Sequence, residues 1–174
     1  MLDYLVVYES ETGNTKKIAT EIFAALPGMS KDLINLQERE SLPEAKVYFV
    51  GFCVHRGTCS IELGRFLGGL SDKSVALFGT CGAGNSEEYY KHIESSVQIW
   101  LEDDNQYLGA FLCQGKMPQA VRHKYEERLK SCEGEEAERI RQSIQNFDMA
   151  MVHPDAEDIE KAKAFTLAAL EKLR

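Results

Sequence analysis

Five short runs rich in Val, Tyr, Phe and Leu recur along the chain: Tyr4–Tyr8, Leu33–Leu36, Lys46–Cys53, Ser74–Thr80 and Tyr107–Cys113. Several are apolar without alternation, as in Val47-Tyr48-Phe49-Val50. That pattern predicts strands buried on both faces, hence a parallel sheet covered by helices. Helical stripes lie between the runs. Ile18, Ala19, Ile22, Phe23 and Leu26 share one face; Leu63, Phe66, Leu67 and Leu70 another; Tyr90, Ile93, Val97 and Leu101 a third. Asn85 with Glu88 reads as a capping box for the third helix, and Trp100 falls within that helix's pattern as a core residue. Ile159, Ala162, Phe165, Ala169 and Leu173 predict a final helix, with Pro154 in its first turn and Asp155, Glu157 and Asp158 facing its positive end.

Two connections break the rhythm. The segment from Leu36 to Lys46 is too short for a crossover helix and predicts a turn or brief helix. The segment from Gln119 to Phe147 carries two stripes, Val121, Tyr125, Leu129 and then Ala137, Ile140, Ile144, Phe147, separated by Cys132-Glu133-Gly134. It predicts a helical hairpin, residues 119–147, inserted before the last helix. The alternation of strand and helix indicates one doubly wound α/β domain over residues 1–174. Ligands in such sheets sit beyond the carboxyl ends of the strands where the winding reverses. That directs attention to the loops Glu9–Thr15, Cys53–Ser60 and Cys81–Ser86.

Composition narrows the class. A chain of 174 residues, 44% hydrophobic and 28% charged, suits one ordinary globular domain. Its net charge of −8 argues against a nucleic-acid partner, which needs a basic face. The acidic excess fits simple solubility or docking to basic proteins. No basic leader precedes Leu5-Val6-Val7, and the longest apolar stretch, Val47–Val54, is far too short to span a membrane. Five cysteines without a C-x-x-C pair suit reduced thiols, so a cytoplasmic protein is expected.

The loop Ser10-Glu11-Thr12-Gly13-Asn14-Thr15 follows the first strand and opens a helix. Free amides and the dipole at such a start favour an anion, and hydroxyls can add donors. A P-loop is absent, and a dinucleotide fingerprint is absent too, since Gly82-Ala83-Gly84 has Glu87 at the third glycine position. The residues alone leave open a plain helix cap or a phosphate site.

The stretch Tyr8–Thr15 resembles the phosphate loop of flavodoxins, [ST]-x-T-G-x-T. Phe49-Val50-Gly51-Phe52, Gly57-Thr58-Cys59, Ala76-Leu77-Phe78-Gly79-Thr80, Cys113-Gln114-Gly115-Lys116-Met117-Pro118 and His153-Pro154-Asp155 resemble a bacterial flavodoxin-like subgroup. That subgroup includes the flavodoxin-like partner of gut-bacterial bilirubin reductase. The resemblance implies a five-stranded parallel sheet in the order 2-1-3-4-5 and non-covalent FMN. It implies a phosphate loop at Ser10, Glu11, Thr12, Gly13, Asn14 and Thr15. The isoalloxazine is implied between Val54, His55, Arg56, Gly57, Thr58 and Thr80, Cys81, Gly82, Ala83, Gly84. Flavodoxins usually stack aromatic rings on the flavin, yet these two loops carry none, and Phe52 reads as core. His55 or Arg56 could stack instead, or the amides of Gly57 and Gly82 bond the ring's edge.

The remaining chemistry is thinner. Glu9 and Glu11 flank the phosphate loop, and carboxylates there would raise the energy of reduced, anionic FMN, making a low-potential donor. If both are solvated, the effect is screened. Cys53, Cys59 and Cys81 read as small buried hydrophobes rather than reactive thiols. His92, His123 and His153 show no ligand spacing, so no metal is expected. Lys116-Met117-Pro118 is similar to a feature of two-component receiver domains, but Gly51-Phe52-Cys53 lacks their acceptor carboxylate; Lys116 reads as a surface lysine. An electron carrier between a reductase donor and an acceptor enzyme is expected first. An FMN-dependent reductase of quinones or bilins and a flavin-free adaptor are the alternatives.

Overall fold

In the computed structural model, residues 1–39 and 41–173 are described. Strand β1 (Leu2–Tyr8) leads to α1 (Asn14–Ala25), then β2 (Lys31–Asn35) and a 3-10 turn (Leu36–Glu38). Next come β3 (Ala45–Cys53), α2 (Ile61–Gly68), β4 (Ser74–Cys81), α3 (Glu87–Gln98) and β5 (Gln106–Gln114). Helices α4 (Gln119–Leu129) and α5 (Gly134–Ala150) form the hairpin before α6 (Ala156–Glu171). The five strands are parallel in the order β2-β1-β3-β4-β5, as expected.

The unalternating strand sequences have a simple cause: both faces are covered. Leu5, Val7, Tyr48, Val50, Val75 and Leu77 pack against Leu63 and Leu67 of α2 and Ile93 and Val97 of α3. Val6, Val47, Phe49, Ala76 and Phe78 point the other way, to Ile18 and Ile22 of α1 and Ala162 and Ala169 of α6. In the β3–β4 register, Gly51 lies opposite Phe78 and Phe52 opposite Gly79. Each ring fills the place of the glycine's missing side chain. A Cβ on Gly51 would stand 2.2 Å from the Phe78 ring, and one on Gly79 2.7 Å from Phe52. Phe52 is accordingly fully buried core.

Several expected boundaries shift. Ser86, not Asn85, caps α3, its hydroxyl accepting from the Tyr89 amide. The two side chains cap about equally well, so the sequence offers two starts. Starting at Ser86 sets Glu87 and Glu88 against the helix's positive end. That helix ends at Gln98, leaving Leu101 beyond it. Trp100 lies past the helix and is 37% exposed rather than core. Its ring leans on Gly64 of α2, where a Cβ would stand 2.6 Å away. Pro154 precedes α6 instead of entering it. Asp155 is the cap, exchanging bonds with Asp158 in a full capping box. The hairpin extends to Ala150, one turn past Phe147.

Candidate functional site

The chain winds from β1 outward to β2, then returns past β1 to β3. The carboxyl ends of β1, β3, β4 and β5 therefore open on one crevice. A cleft of about 110 Å³ lies there. Glu11, Thr12 and Asn14 line it from the first loop, Cys53 and Val54 from the second, and Thr80, Cys81 and Gly82 from the third. A fourth wall is Gly115, Lys116, Met117 and Pro118, the segment after β5. The sequence marks all four as part of the family resemblance, but none as a site residue. The rule that ligands sit beyond strand ends applied equally to β5 and was the signal available. Larger hollows of about 410 and 670 Å³ lie under the end of α3 and beside the Leu36–Glu38 turn, away from the strand ends that gather the loops.

The first loop is organised by Ser10. Its Oγ accepts from the Gly13 amide at 3.1 Å and the Lys16 amide at 3.3 Å, which leaves its own O–H to donate outward. Gly13 caps α1 at φ 84°, a left-handed conformation that glycine adopts without steric cost. The Asn14 and Thr15 amides have no acceptor among the described residues, and no acid sits in the first turn of α1. Asn14 is buried. Its Nδ2 donates to Thr12 Oγ1 at 2.8 Å and to the Lys116 carbonyl at 2.9 Å. The Lys116 carbonyl, which can only accept, fixes the amide's orientation and leaves Oδ1 buried with no partner among the described residues. Gly115 makes room, since a Cβ there would stand 2.5 Å from Asn14 Nδ2. Thr15 turns inward and its hydroxyl lies 2.9 Å from that of Thr80, tying the first loop to the end of β4.

The second loop is a tight hairpin turn. His55 and Thr58 exchange backbone bonds of 2.8 and 3.2 Å, and Arg56 and Gly57 both have positive φ, 52° and 87°. That is the primed type I geometry. Ser96 of α3 anchors it, donating to the Gly57 carbonyl at 2.8 Å and accepting from Thr58 Oγ1 at its own carbonyl. His55 and Arg56 are exposed and lie outside the cleft lining, as do Gly57 and Thr58. In the third loop, Cys81 Sγ donates to the Gly84 carbonyl at 3.3 Å. Gly82 lines the cleft, while Ala83 and Gly84 do not.

Two carboxylates meet the site differently. Glu11 is exposed and borders the cleft. Glu9 is buried, with Oε2 2.5 Å from Ser60 Oγ and Oε1 3.3 Å from the Ser60 amide. Burial pushes its pKa up, the Ser60 bonds oppose this, and Glu62 and Glu11 add to the rise. Both residues line a second cavity of about 140 Å³ with Gln37, Cys53, His55 and Ser60.

The thiols are suppressed. Burial pushes Cys53 up to about 11 and Cys81 up to about 12, and raises Cys59 and Cys113 as well. All five cysteines are unpaired. Protonated thiols are poor nucleophiles, so those at the cleft act as packing groups. His153, Asp155 and Asp158 bring donor atoms within 4.8 Å of one another. Their bonds already close α6: His153 Nδ1 lies 2.5 Å from Asp158 Oδ2, which also accepts from the Asp155 amide.

A family model described as Flavodoxin domain matches residues 5–167. The chain belongs to the flavodoxin family. It is similar to the flavodoxin-like domain-containing protein BilS of Clostridioides difficile (strain CD3), at 34% identity covering 92% of each chain. It is also similar to BilS of Clostridium symbiosum (strain WAL-14163), at 26% identity over 97% of this chain and 96% of that one. Among solved structures, a flavodoxin from the domain Archaea shares the fold with TM-score 0.57, 16% identity and 98% coverage of both chains.

FMN is the cofactor of this flavodoxin, and the residues fit it. Free amides, an outward hydroxyl and an acid-free helix start suit a phosphate. The orphaned Asn14 Oδ1 suits a hydroxyl donor such as those of the ribityl chain. No helix among the described residues is long and apolar enough to cross a membrane.

Proposed function

We propose that this flavodoxin is an electron carrier that accepts electrons from a reductase and passes them at low potential to an acceptor enzyme. The observation that carries the reading is the junction at Asn14. An anion-ready helix start and a buried, unpartnered acceptor stand beside a cleft walled by Val54, Met117 and Pro118. When bound, FMN supplies reversible one- and two-electron chemistry. The chain's residues do the rest. Ser10, Thr12 and the Asn14 and Thr15 amides hold the phosphate, and aliphatic walls replace the usual aromatic ones. The cleft is small beside ordinary ligand pockets of about 300–1,000 Å³. That supports a shallow seat with an exposed edge, as electron exchange between proteins requires. Glu9 and Glu11 raise the energy of negative charge added in the cleft, which favours donation at low potential.

The resemblance to the flavodoxin-like partner of bilirubin reductase supports a bilin reductase as the acceptor. The chain is read as one domain, 1–174, with 119–147 inserted. Its five unpaired cysteines suit the cytoplasm. The test is one preparation. Purified protein is titrated with FMN, with and without NAD(P)H. Micromolar binding without NAD(P)H oxidation is expected. NAD(P)H turnover would make it a reductase, and absence of binding would overturn the cofactor assignment.

A further inference from the structure

The hairpin α4–α5 looks peripheral. No residue of α4 is buried, and its main packing partner is α5. It nevertheless reaches the cleft at one residue. Asn146 of α5 donates from Nδ2 to the Gly82 carbonyl at 2.7 Å. Its Oδ1 accepts from Gln114 Nε2 at 3.0 Å, and Gln114 is a buried side chain at the end of β5. Those two bonds define the amide's orientation, because a flipped amide would set two oxygens against each other at Gly82. From the segment that leads into the hairpin, Met117 covers Gly82 directly. A Cβ on Gly82 would stand 2.3 Å from Met117 Cγ and 2.4 Å from its Sδ. Met117 and Gly82 both line the cleft.

We propose that the inserted hairpin braces one wall of the flavin site, with Asn146 as a positioning residue that sets the Gly82 peptide, while Met117, on the segment leading into the hairpin, covers that glycine. The inference rests on the FMN reading and assigns the insertion a job within it. In a trans peptide the carbonyl and the following N–H point oppositely. Fixing the Gly82 carbonyl on Asn146 therefore fixes the Ala83 N–H away from Asn146. The third loop is also held at Cys81, whose carbonyl accepts from the Gly115 amide at 3.0 Å and whose Sγ donates to the Gly84 carbonyl, and by the Tyr89 ring, which would stand 3.1 Å from a Cβ on Gly84. Without the aromatic stackers common in the family, the ring's seat depends on this peptide staying in place.

Asn146→Asp separates the roles. The carboxylate still accepts from Gln114 but donates nothing to Gly82. Asn146→Ala removes both bonds, and Gln142→Ala on the exposed side of α5 is the control. Expected for Asn146→Asp is about a tenfold loss for both FMN and riboflavin, the scale of one hydrogen bond. Affinity for inorganic phosphate stays within twofold. Amide exchange at residues 81–84, measured without flavin, is expected to quicken in both Asn146 variants and not in the control. Unchanged flavin affinity with unchanged exchange overturns the inference while leaving the FMN reading intact. A loss that falls equally on inorganic phosphate overturns it too, as a general structural effect. A parent protein that binds no flavin overturns both.

Discussion

The two halves of the cleft are built in different ways. The phosphate half is local: Ser10 bonds Gly13 and Lys16, and Thr12 bonds Asn14, all within seven residues of chain. The ring half is assembled from distant segments. Ser96 holds the turn at Gly57, Asn146 and Met117 hold Gly82, and Thr15–Thr80, Asn14–Lys116 and Glu9–Ser60 connect the halves. A local site needs little more than its own helix start. An assembled one changes when any contributing element does, which is why an insertion after β5 can reshape the ring's seat without touching the phosphate's.

The largest test of that division is the double substitution Ser10→Ala, Thr12→Ala. Ser10 loses its outward donor and its grip on two amides; Asn14 loses one acceptor. Hydrogen bonds to an anion contribute about 1.5–3 kcal/mol each. FMN affinity is expected to fall about a hundredfold while riboflavin changes less than threefold, both measured by flavin fluorescence. Equal losses would erase the distinction between the halves.

Next in size is Gly51→Ala, aimed at the foundation of the ring half. The new methyl would meet the Phe78 ring at 2.2 Å, between two buried strands with little room to move. Overpacking of this kind costs about 1–3 kcal/mol. Denaturant unfolding is expected to show that loss, and a variant as stable as the parent would mean that the β3–β4 ring-over-glycine pairing does not set the strands' spacing.

Glu9→Gln probes the carboxylate between the halves. Its folded pKa is raised by burial, so the native state binds more protons than the unfolded one from about pH 4.5 upward to the folded pKa. By linkage the parent's stability falls with rising pH across that window, and the Glu9 contribution is lost above it. Glutamine, which can still bond Ser60, is expected to flatten the slope and to match or exceed the parent at neutral pH. The second reduction potential of the FMN-loaded protein is expected to become less negative. A pH profile of unfolding unchanged by the substitution would show Glu9 to be solvated.

The same division explains what the sequence disclosed. The strands were readable because a doubly covered sheet demands apolar runs such as Val47–Val50. The Ser10–Thr15 loop was readable because its hydrogen bonds join near neighbours. Glu9 is one residue outside that loop, yet its burial depends on Ser60, far along the chain. The hairpin's stripes were legible but Asn146 was not, since nothing near it in sequence marks a polar side chain reaching for Gly82. Trp100 misled because its spacing continues the α3 stripe although the helix stops at Gln98. Cap choice between Asn85 and Ser86 was close to degenerate. For Glu9 and Asn146 the missing information was a contact between segments far apart in sequence.

The smallest expected effect concerns Arg56, at the tip of the second loop. A side chain at φ 52° costs about 1–2 kcal/mol where glycine or asparagine costs less. Primed turns prefer Asn-Gly at the two central positions, and this turn has Arg-Gly. Arg56 makes no ion pair with the described residues and stands outside the cleft lining, so its strain has no structural return. Arg56→Asn is therefore expected to stabilise the protein by about 0.5–1 kcal/mol with FMN affinity within twofold. The electron-transfer rate to an anionic acceptor such as ferricyanide at low salt is the deciding measurement. A fall that disappears at high salt would make Arg56 a cation held at the rim for approaching anionic groups, and strain retained for that purpose. An unchanged rate together with the gain in stability would leave the second loop's role to Val54 and the backbone that Ser96 anchors.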